Sequence, residues 1–534
     1  MKLYRLIFLA LLVAFAITSC QQSDNSHVQG QRVIRINLAT EPPCVDLKKI
    51  ADSQSQFFAL MCQDGLTRKT KDDQVELSLA ESVDISQDLK KYRFRLRNLR
   101  WSDGTALTAQ DFVNSYLELL DPDFPSPYAH LFFDIQGAKA YKDRSGCKDD
   151  VGIFALDALN LEILLTAPNP NFLEILSSVH FFPYPEAIAK HNEQYLEGKN
   201  NTFISSGPFT VDSWAKRDKI ILKKNPLYWD LTNVHLDQLQ IYFIEDSQTE
   251  LGMYERGQLD WVGSPFTSIH QDAIPFLKTR ADFHTYPISA VCFYIFNTQI
   301  YPYNNKWIRK ALSLGIDRKE ITDHLFETNP EPAFRFIPSL LGLKHLNQED
   351  PYRKEKALRY FNKGIQDLGI SKEDFPPLQL YYHNGPIIHA KIAETVKQQW
   401  QNLFDIKTEL YSLEWKIYLD ALHKSQFSIA RSAIAPPYQD PSCFLQLFSE
   451  ENSSLNYSGW YNPAFVSLLE NAKHSSDHDS RMQFYFQAEE LLLEEMPVAP
   501  LFFYKNCYLK KESIKNVVID GLNRADFKWA TIEQ

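Results

Sequence analysis

Apolar and polar positions alternate strictly from Lys91 to Arg97. Tyr92, Phe94 and Leu96 fall on one face and four cations on the other, the period of a half-buried strand. Trp101-Ser102-Asp103-Gly104 follows with turn chemistry, Gly104 tolerating positive φ. Thr108-Ala109-Gln110-Asp111 then has the form of a capping box. The spacing of Phe112, Val113, Tyr116, Leu117 and Leu120 predicts a helix with those side chains on one side. Arg32 to Leu38 alternates likewise and reads as another strand.

The clearest organisation lies further on. Leu378 to Tyr382 reads as a strand. After Gly385-Pro386, the apolar residues Ile388, Ile392, Val396, Trp400 and Phe404 form an unbroken i+4 row, the mark of a helix packed along one stripe. Ile406 to Tyr411 predicts a strand, Trp415 to Leu422 a helix, and Phe427 to Arg431 a third strand. This β-α-β-α-β order implies parallel strands with right-handed crossovers. Ligands collect at the carboxyl ends of such strands, where Arg431 falls. Proline clusters near 122–127, 330–338 and 436–441 read as rigid loops.

The amino terminus changes the picture of location. Lys2 and Arg5 precede an apolar run from Leu6 to Ile17, which ends in Ile17-Thr18-Ser19-Cys20. The run is short for a membrane span, which takes roughly 20 residues. It reads as a signal peptide over residues 1–19 with a lipobox-like cleavage site. Cys20 would carry the lipid, and residues 20–31 would form a polar tether. An ordinary signal peptide followed by a chance cysteine is the plainer alternative.

Composition narrows the classes. The chain has 534 residues, long enough for several domains, and 44% apolar content. Net charge is -11, and near -13 once Lys2 and Arg5 are removed. With no basic stripe, nucleic-acid binding is not expected. Beyond Cys20 there remain Cys44, Cys62, Cys147, Cys292, Cys443 and Cys507, scattered singly without a CxxC. Zinc and thioredoxin-type chemistry therefore lack support, and export leaves disulfide pairing open.

Catalytic motifs are missing. There is no Walker loop, GxGxxG, HExxH or GxSxG. Ser145-Gly146-Cys147-Lys148 has the SxxK spacing but sits in a polar loop without companion motifs. His474, Asp477 and His478 could approach a metal, yet Ser475, Ser476 and Asp479 give them the look of a solvated linker. These absences favour binding over catalysis, and no cofactor or metal is expected.

Several stretches in order resemble a known family. They are Glu41-Pro42 ahead of Asp46-Leu47, Asp64-Gly65-Leu66, Trp101 to Thr105 with Leu107 to Val113, and Ser206-Gly207-Pro208-Phe209. Asn225-Pro226-Leu227-Tyr228-Trp229, the apolar 241–244, Arg309-Lys310-Ala311-Leu312, Ile316-Asp317-Arg318 and Glu414-Trp415-Lys416 continue the match. They resemble the extracytoplasmic solute-binding proteins of family 5, which serve oligopeptide, dipeptide and nickel importers. The likeness is greatest to the oligopeptide-binding branch.

The resemblance implies an α/β, two-lobed periplasmic-binding-protein type II fold with an extra domain, three domains in all. Domain I would comprise residues 30–63, 188–288 and 505–534, domain II 64–187, and domain III 289–504. Peptide would be enclosed between lobes hinged by two crossings, its backbone held as an added strand and its side chains in watery pockets. The implied partners are a peptide ligand, an ATP-driven permease complex in the inner membrane, and the membrane itself through the lipid anchor. The protein is expected to be an extracytoplasmic monomer, in the periplasm or on the cell surface.

Carried over residue by residue, Tyr128 resembles a tyrosine that contacts ligand backbone, and Trp415 a cleft tryptophan. Arg431, Ser432, Ala433 and Ala435 correspond to the peptide-pairing strand. Phe293 and Asn297 belong to a strand lining the cleft, and Gly263 and Ser264 to a loop that usually carries two asparagines. For the aromatics, core packing is the competing role. One departure stands out: the aspartate that pairs with the ligand's α-ammonium is replaced by Pro437. Asp440 lies three residues on, and Ala51 stands where an acid is common. Altered terminus recognition follows, with short or modified peptides, such as glutathione or a cell-wall fragment, as candidate ligands. A receptor for nickel, a metallophore, haem or a sugar, a surface adhesin or signalling protein, and a hydrolase remain the rival readings.

Overall fold

The computed structural model describes residues 30–185 and 203–533, apart from 73, 127, 344–346, 452 and 454. The signal peptide, Cys20 and the tether through Gln29 lie outside the described residues.

Three sheets organise the chain. In the first, Val33–Asn37 runs parallel to Gln238–Tyr242, which is followed by antiparallel Lys219–Lys224 and Phe209–Ala215. Alternation along these strands aims Ile34, Ile36, Ile220, Leu222, Leu239 and Ile241 into one core. The helix Ser53–Cys62 covers it, and Phe527 from near the other end of the chain completes it.

The second sheet has the order Ala80–Ile85, Lys91–Leu96, Asn160–Leu164, Ile153–Ala155. Tyr92, Phe94 and Leu96 are buried as the alternation predicts, while Lys91 and Arg93 pair with Glu162 at 3.2 and 2.6 Å. The predicted helix forms over Ala109–Leu119 behind its capping box of Thr108 and Asp111. Its buried face extends to Leu119, and Tyr116 Oη donates to the Phe181 carbonyl at 2.7 Å.

In the third sheet, Leu378–His383, Thr408–Leu413 and Ile429–Ile434 are parallel. Helices Ile387–Phe404 and Trp415–His423 connect them, which is the predicted β-α-β-α-β unit. The i+4 row buries Ile392, Val396, Trp400 and Phe404, with Ile388 only half-buried at the first turn. Sequence periodicity did not reveal the two longest strands, Phe283–Phe296 and Val498–Lys510. They pair antiparallel and make the sheet mixed.

These two strands also join the cores. Their ladder runs from Phe283 opposite Leu509 to Pro287 opposite Lys505, and resumes at Val291 opposite Phe503. Between those pairs, Ile288, Ser289 and Ala290 face Tyr504 alone, an interruption of the kind that bends a strand. On one side of it the strands flank the core around Trp261; on the other they enter the cores around Phe336 and Trp400. Asn523 clamps the first side: its Oδ1 accepts from Ser264 Oγ at 3.2 Å, from Asn506 Nδ2 at 2.9 Å, and from Tyr286 Oη. Gly521 lies against the break itself. A Cβ there would stand 2.7 Å from both Ser289 Oγ and Gln439 Oε1.

All six described cysteines are free thiols. Asp477 caps the helix His478–Glu495, and no group of potential metal ligands occurs among the described residues. No described helix is long and apolar enough to cross a membrane.

Candidate functional site

The strand Ile429–Ile434 pairs along its whole length with Phe283–Phe296. On its other edge Leu378–His383 meets only Ile429 and Ala430. Arg431 to Ile434 therefore present one edge outside the sheet ladder, a template for an added strand. Tyr418 Oη donates to the Arg431 carbonyl and occupies the first acceptor of that stretch.

Arg431 is the electrostatic centre of this edge. Its Nη2 donates to Tyr504 Oη at 2.8 Å. Its Nε is buried without a hydrogen-bond partner, and no carboxylate among the described residues pairs with it. The groups that act on this guanidinium are Cys292, Tyr504, Tyr418 and Tyr294, with the Cys292 thiol in hydrogen-bonding reach. His383 and His389 stand beside it. Burial, and after it the Arg431 charge, lowers the proton affinity of both, pushing His389 down to about 4. Trp415, half exposed, packs edge-on to His383 with ring centroids 4.9 Å apart. A cavity of about 430 Å³ opens here, walled in part by Phe293, Trp415, Tyr418, Arg431, Ser432 and Ala433.

The other sequence-derived candidates are dispersed. Ala435 and Pro437 are exposed just beyond the strand. Asp440 faces inward: it is buried, its carboxylate accepts from Ser442 N at 2.8 Å, and burial raises its pKa. Asn297 is buried away from this cavity, donating through Nδ2 to the carbonyls of Ser425 and Phe427 at 3.1 and 3.0 Å. Tyr128 is half-buried and packs on His180 with centroids 4.0 Å apart, and burial pushes that histidine down to about 4. Next to this region is a second cavity of about 160 Å³, which includes Phe57, Arg68, Val179, Phe266, Asn523 and Arg524 in its wall. Its carboxylates are Asp520, paired with Arg524, and Asp526, paired with Arg68.

Gly263 and Ser264 precede Pro265 and Phe266 of that cavity's wall, and Ser264 Oγ donates to Asn523 in it. Gly263 has φ +91°, and its N–H donates to Thr267 Oγ1 at 2.9 Å. Thr267 Oγ1 in turn donates to Glu250 Oε1 at 2.8 Å. Glu250 is buried, no cation pairs with it among the described residues, and desolvation raises it from 4.5 to about 7. The folded state thus holds a proton that the unfolded chain releases. This contribution to stability is full below about pH 4.5 and is lost as pH climbs through about 7. Glu250→Gln keeps an acceptor for Thr267 and cannot ionise. Its stability relative to the parent should rise by on the order of 3 kcal/mol between pH 4.5 and 8. Denaturant melts of both proteins across that range test this, and a pH-independent difference would refute it.

Sheets joined by two interrupted strands, with an open strand edge and a cavity in one lobe, define a two-lobed solute-binding protein of the periplasmic type II fold. The chain belongs to the bacterial extracellular solute-binding proteins, family 5, whose model matches residues 74–456. Members of this family are binding proteins rather than enzymes. The chain is 33% identical to the oligopeptide-binding protein OppA of Bacillus subtilis, covering 98% of this chain and 97% of that one. It is similar to the unliganded open form of the periplasmic murein tripeptide binding protein MppA, with TM-score 0.84, 26% identity, and coverage of 94% and 98% of the two chains. Against Haemophilus influenzae OppA in complex with RPPGFSPFR the TM-score is 0.70 at 25% identity, with coverage of 95% and 99%.

Proposed function

We propose that this protein is an extracytoplasmic receptor that binds short peptides and delivers them to an ATP-driven importer, gripping the peptide's carboxylate rather than its amino terminus. The observation that carries the reading is Arg431, a half-buried arginine whose enclosed Nε–H has no partner among the described residues, beside an open strand edge. A ligand laid along that edge gains main-chain hydrogen bonds, and its carboxylate supplies the missing acceptor. The likeness to oligopeptide- and murein-peptide-binding proteins supports peptide as the ligand class. Among the described residues beside the two cavities no free anchor for an α-ammonium is in place: Pro437 carries no charge, Asp440 is turned inward, and Asp520 and Asp526 are already paired.

Calorimetry with one tripeptide in three forms tests the reading. N-acetylation should change affinity by less than about fivefold. C-terminal amidation should cost at least about thirtyfold, in the range of 2–5 kcal/mol for losing one partner of a buried charge pair. A large loss on acetylation with none on amidation overturns it.

We also infer three domains: residues 30–63 with 188–288 and 505–534, residues 64–187, and residues 289–504. Support comes from separate apolar cores, with Ile204 and Trp229 bridging the first and second and Tyr438 the second and third. The lipobox-like Ile17-Thr18-Ser19-Cys20 supports a lipid on Cys20 and attachment to a membrane face.

A further inference from the structure

We infer that Asn384 is a self-modifying site: the amide nitrogen of Gly385 closes on the Asn384 side chain, with His383 as the base, and the chain is left with aspartate or isoaspartate at that position.

Asn384-Gly385 is the only Asn-Gly pair in the chain. It lies between the strand Leu378–His383 and the helix Ile387–Phe404, and both residues are exposed. The Asn384 N–H donates to the Leu413 carbonyl at 2.9 Å, which ties the pair to the end of the sheet. The Gly385 N–H leaves that ladder and donates to His383 Nδ1 at 3.3 Å. A Cβ on Gly385 would stand 2.9 Å from His383 Cε1 and 3.0 Å from Nδ1, so a larger residue would push the imidazole off the amide nitrogen. Glycine also leaves the backbone free to turn towards the Asn384 side chain. Trp415 and His389 steady the ring, their centroids 4.9 and 4.3 Å from its own.

The titratable groups facing His383 are Arg431, His389 and Tyr418. Burial, and after it the Arg431 charge, lowers its proton affinity, so the ring is an uncharged acceptor at neutral pH. Nδ1 takes the Gly385 N–H proton as that nitrogen bonds to Asn384 Cγ. The Cγ–Nδ2 bond then breaks, the same proton leaves on ammonia, and a cyclic imide remains. Water opens the imide at either carbonyl, which gives aspartate or its β-linked isomer. Either product sets a carboxylate next to a ring that otherwise faces the cation of Arg431.

The mature protein, aged at neutral pH and read by peptide mass spectrometry, tests the inference. The fragment carrying residue 384 should gain about 1 Da, and part of the product should be isoaspartate. His383→Gln should slow the gain at least about tenfold, and Asn384→Ser should abolish it. Between about pH 6.5 and 8 the parent's rate should level off, because the ring is already deprotonated, while that of His383→Gln keeps climbing with hydroxide. No gain in the protein while the free peptide Tyr-His-Asn-Gly-Pro-Ile converts overturns the inference. So does an equal rate in parent and His383→Gln. A parent rate that climbs with hydroxide throughout removes His383 as the base, whether or not the variant folds.

Discussion

Arg431→Met will lower affinity for a carboxylate-terminated peptide at least about thirtyfold while leaving the unliganded protein as stable as before, or more so. The two halves of that expectation share one cause. Without ligand, the guanidinium is partly buried, bonds through Nη2 to Tyr504 Oη, and leaves its enclosed Nε without an acceptor among the described residues. A buried charge lacking a carboxylate partner costs the fold desolvation that one neutral hydroxyl does not restore. Methionine keeps much of the apolar stem and removes that cost. Under the proposed grip the ligand's carboxylate supplies the counter-charge, so losing the guanidinium should cost about 2–5 kcal/mol. A double-mutant cycle isolates the contact: parent and variant should bind the C-terminal amide alike. If Arg431 only props up the sheet, the variant will melt earlier and lose amide and acid to the same degree.

Arg68→Met should have the opposite signature, a large loss of stability. Arg68 is 1% exposed and lies between Asp64 at 3.4 Å and Asp526 at 2.8 Å. Its Nη2 also donates to the Leu60 carbonyl at 2.9 Å, at the end of the helix Ser53–Cys62. Asp64 is wholly buried and accepts further from Ser78 Oγ at 2.6 Å and Tyr228 Oη at 2.7 Å. Methionine would leave two carboxylates buried without their cation, typically 3–5 kcal/mol. Adding Asp526→Asn should recover part of that loss, because one of the stranded charges disappears. Urea unfolding of the parent, the single and the double variant decides it. A loss under about 1 kcal/mol for Arg68→Met would show that solvent or a neighbouring cation replaces it.

The contrast between these two arginines explains what the sequence could reveal. Local patterns were legible wherever one face meets water: the alternation at Lys91 to Leu96, the capping box at Thr108, and the i+4 row through Trp400 all reappear. Phe283–Phe296 escaped because its second half, from Ala290 to Phe296, is buried on both faces and carries no period. Arg431 was singled out as the carboxyl end of an expected strand from Phe427 to Arg431, whereas the strand runs Ile429–Ile434 and places it mid-strand, because pairing with Phe283–Phe296 continues to Ile434. Its companions His383, His389, Tyr418 and Tyr504 come from separate elements, so no spacing along the chain could announce them. The partnership of Arg68 with Asp526 spans 458 residues and had no local sign at all. Asn297 looked like a cleft residue from its place on the strand, whereas its amide is spent on the carbonyls of Ser425 and Phe427.

The first core draws on Ile34 and Ile36 near one end of the described chain and on Ile514, Ala525, Phe527 and Ala530 near the other. During synthesis, then, the strand Val33–Asn37 meets its sheet partner Gln238–Tyr242 after roughly two hundred residues, but Ile514, Ala525, Phe527 and Ala530 only after nearly five hundred. Until then Ile34 and Ile36 have an incomplete core to enter, and Arg68 has one of its two carboxylates. The first core is therefore completed late, after the cores around Tyr116, Phe336 and Trp400 have all their members.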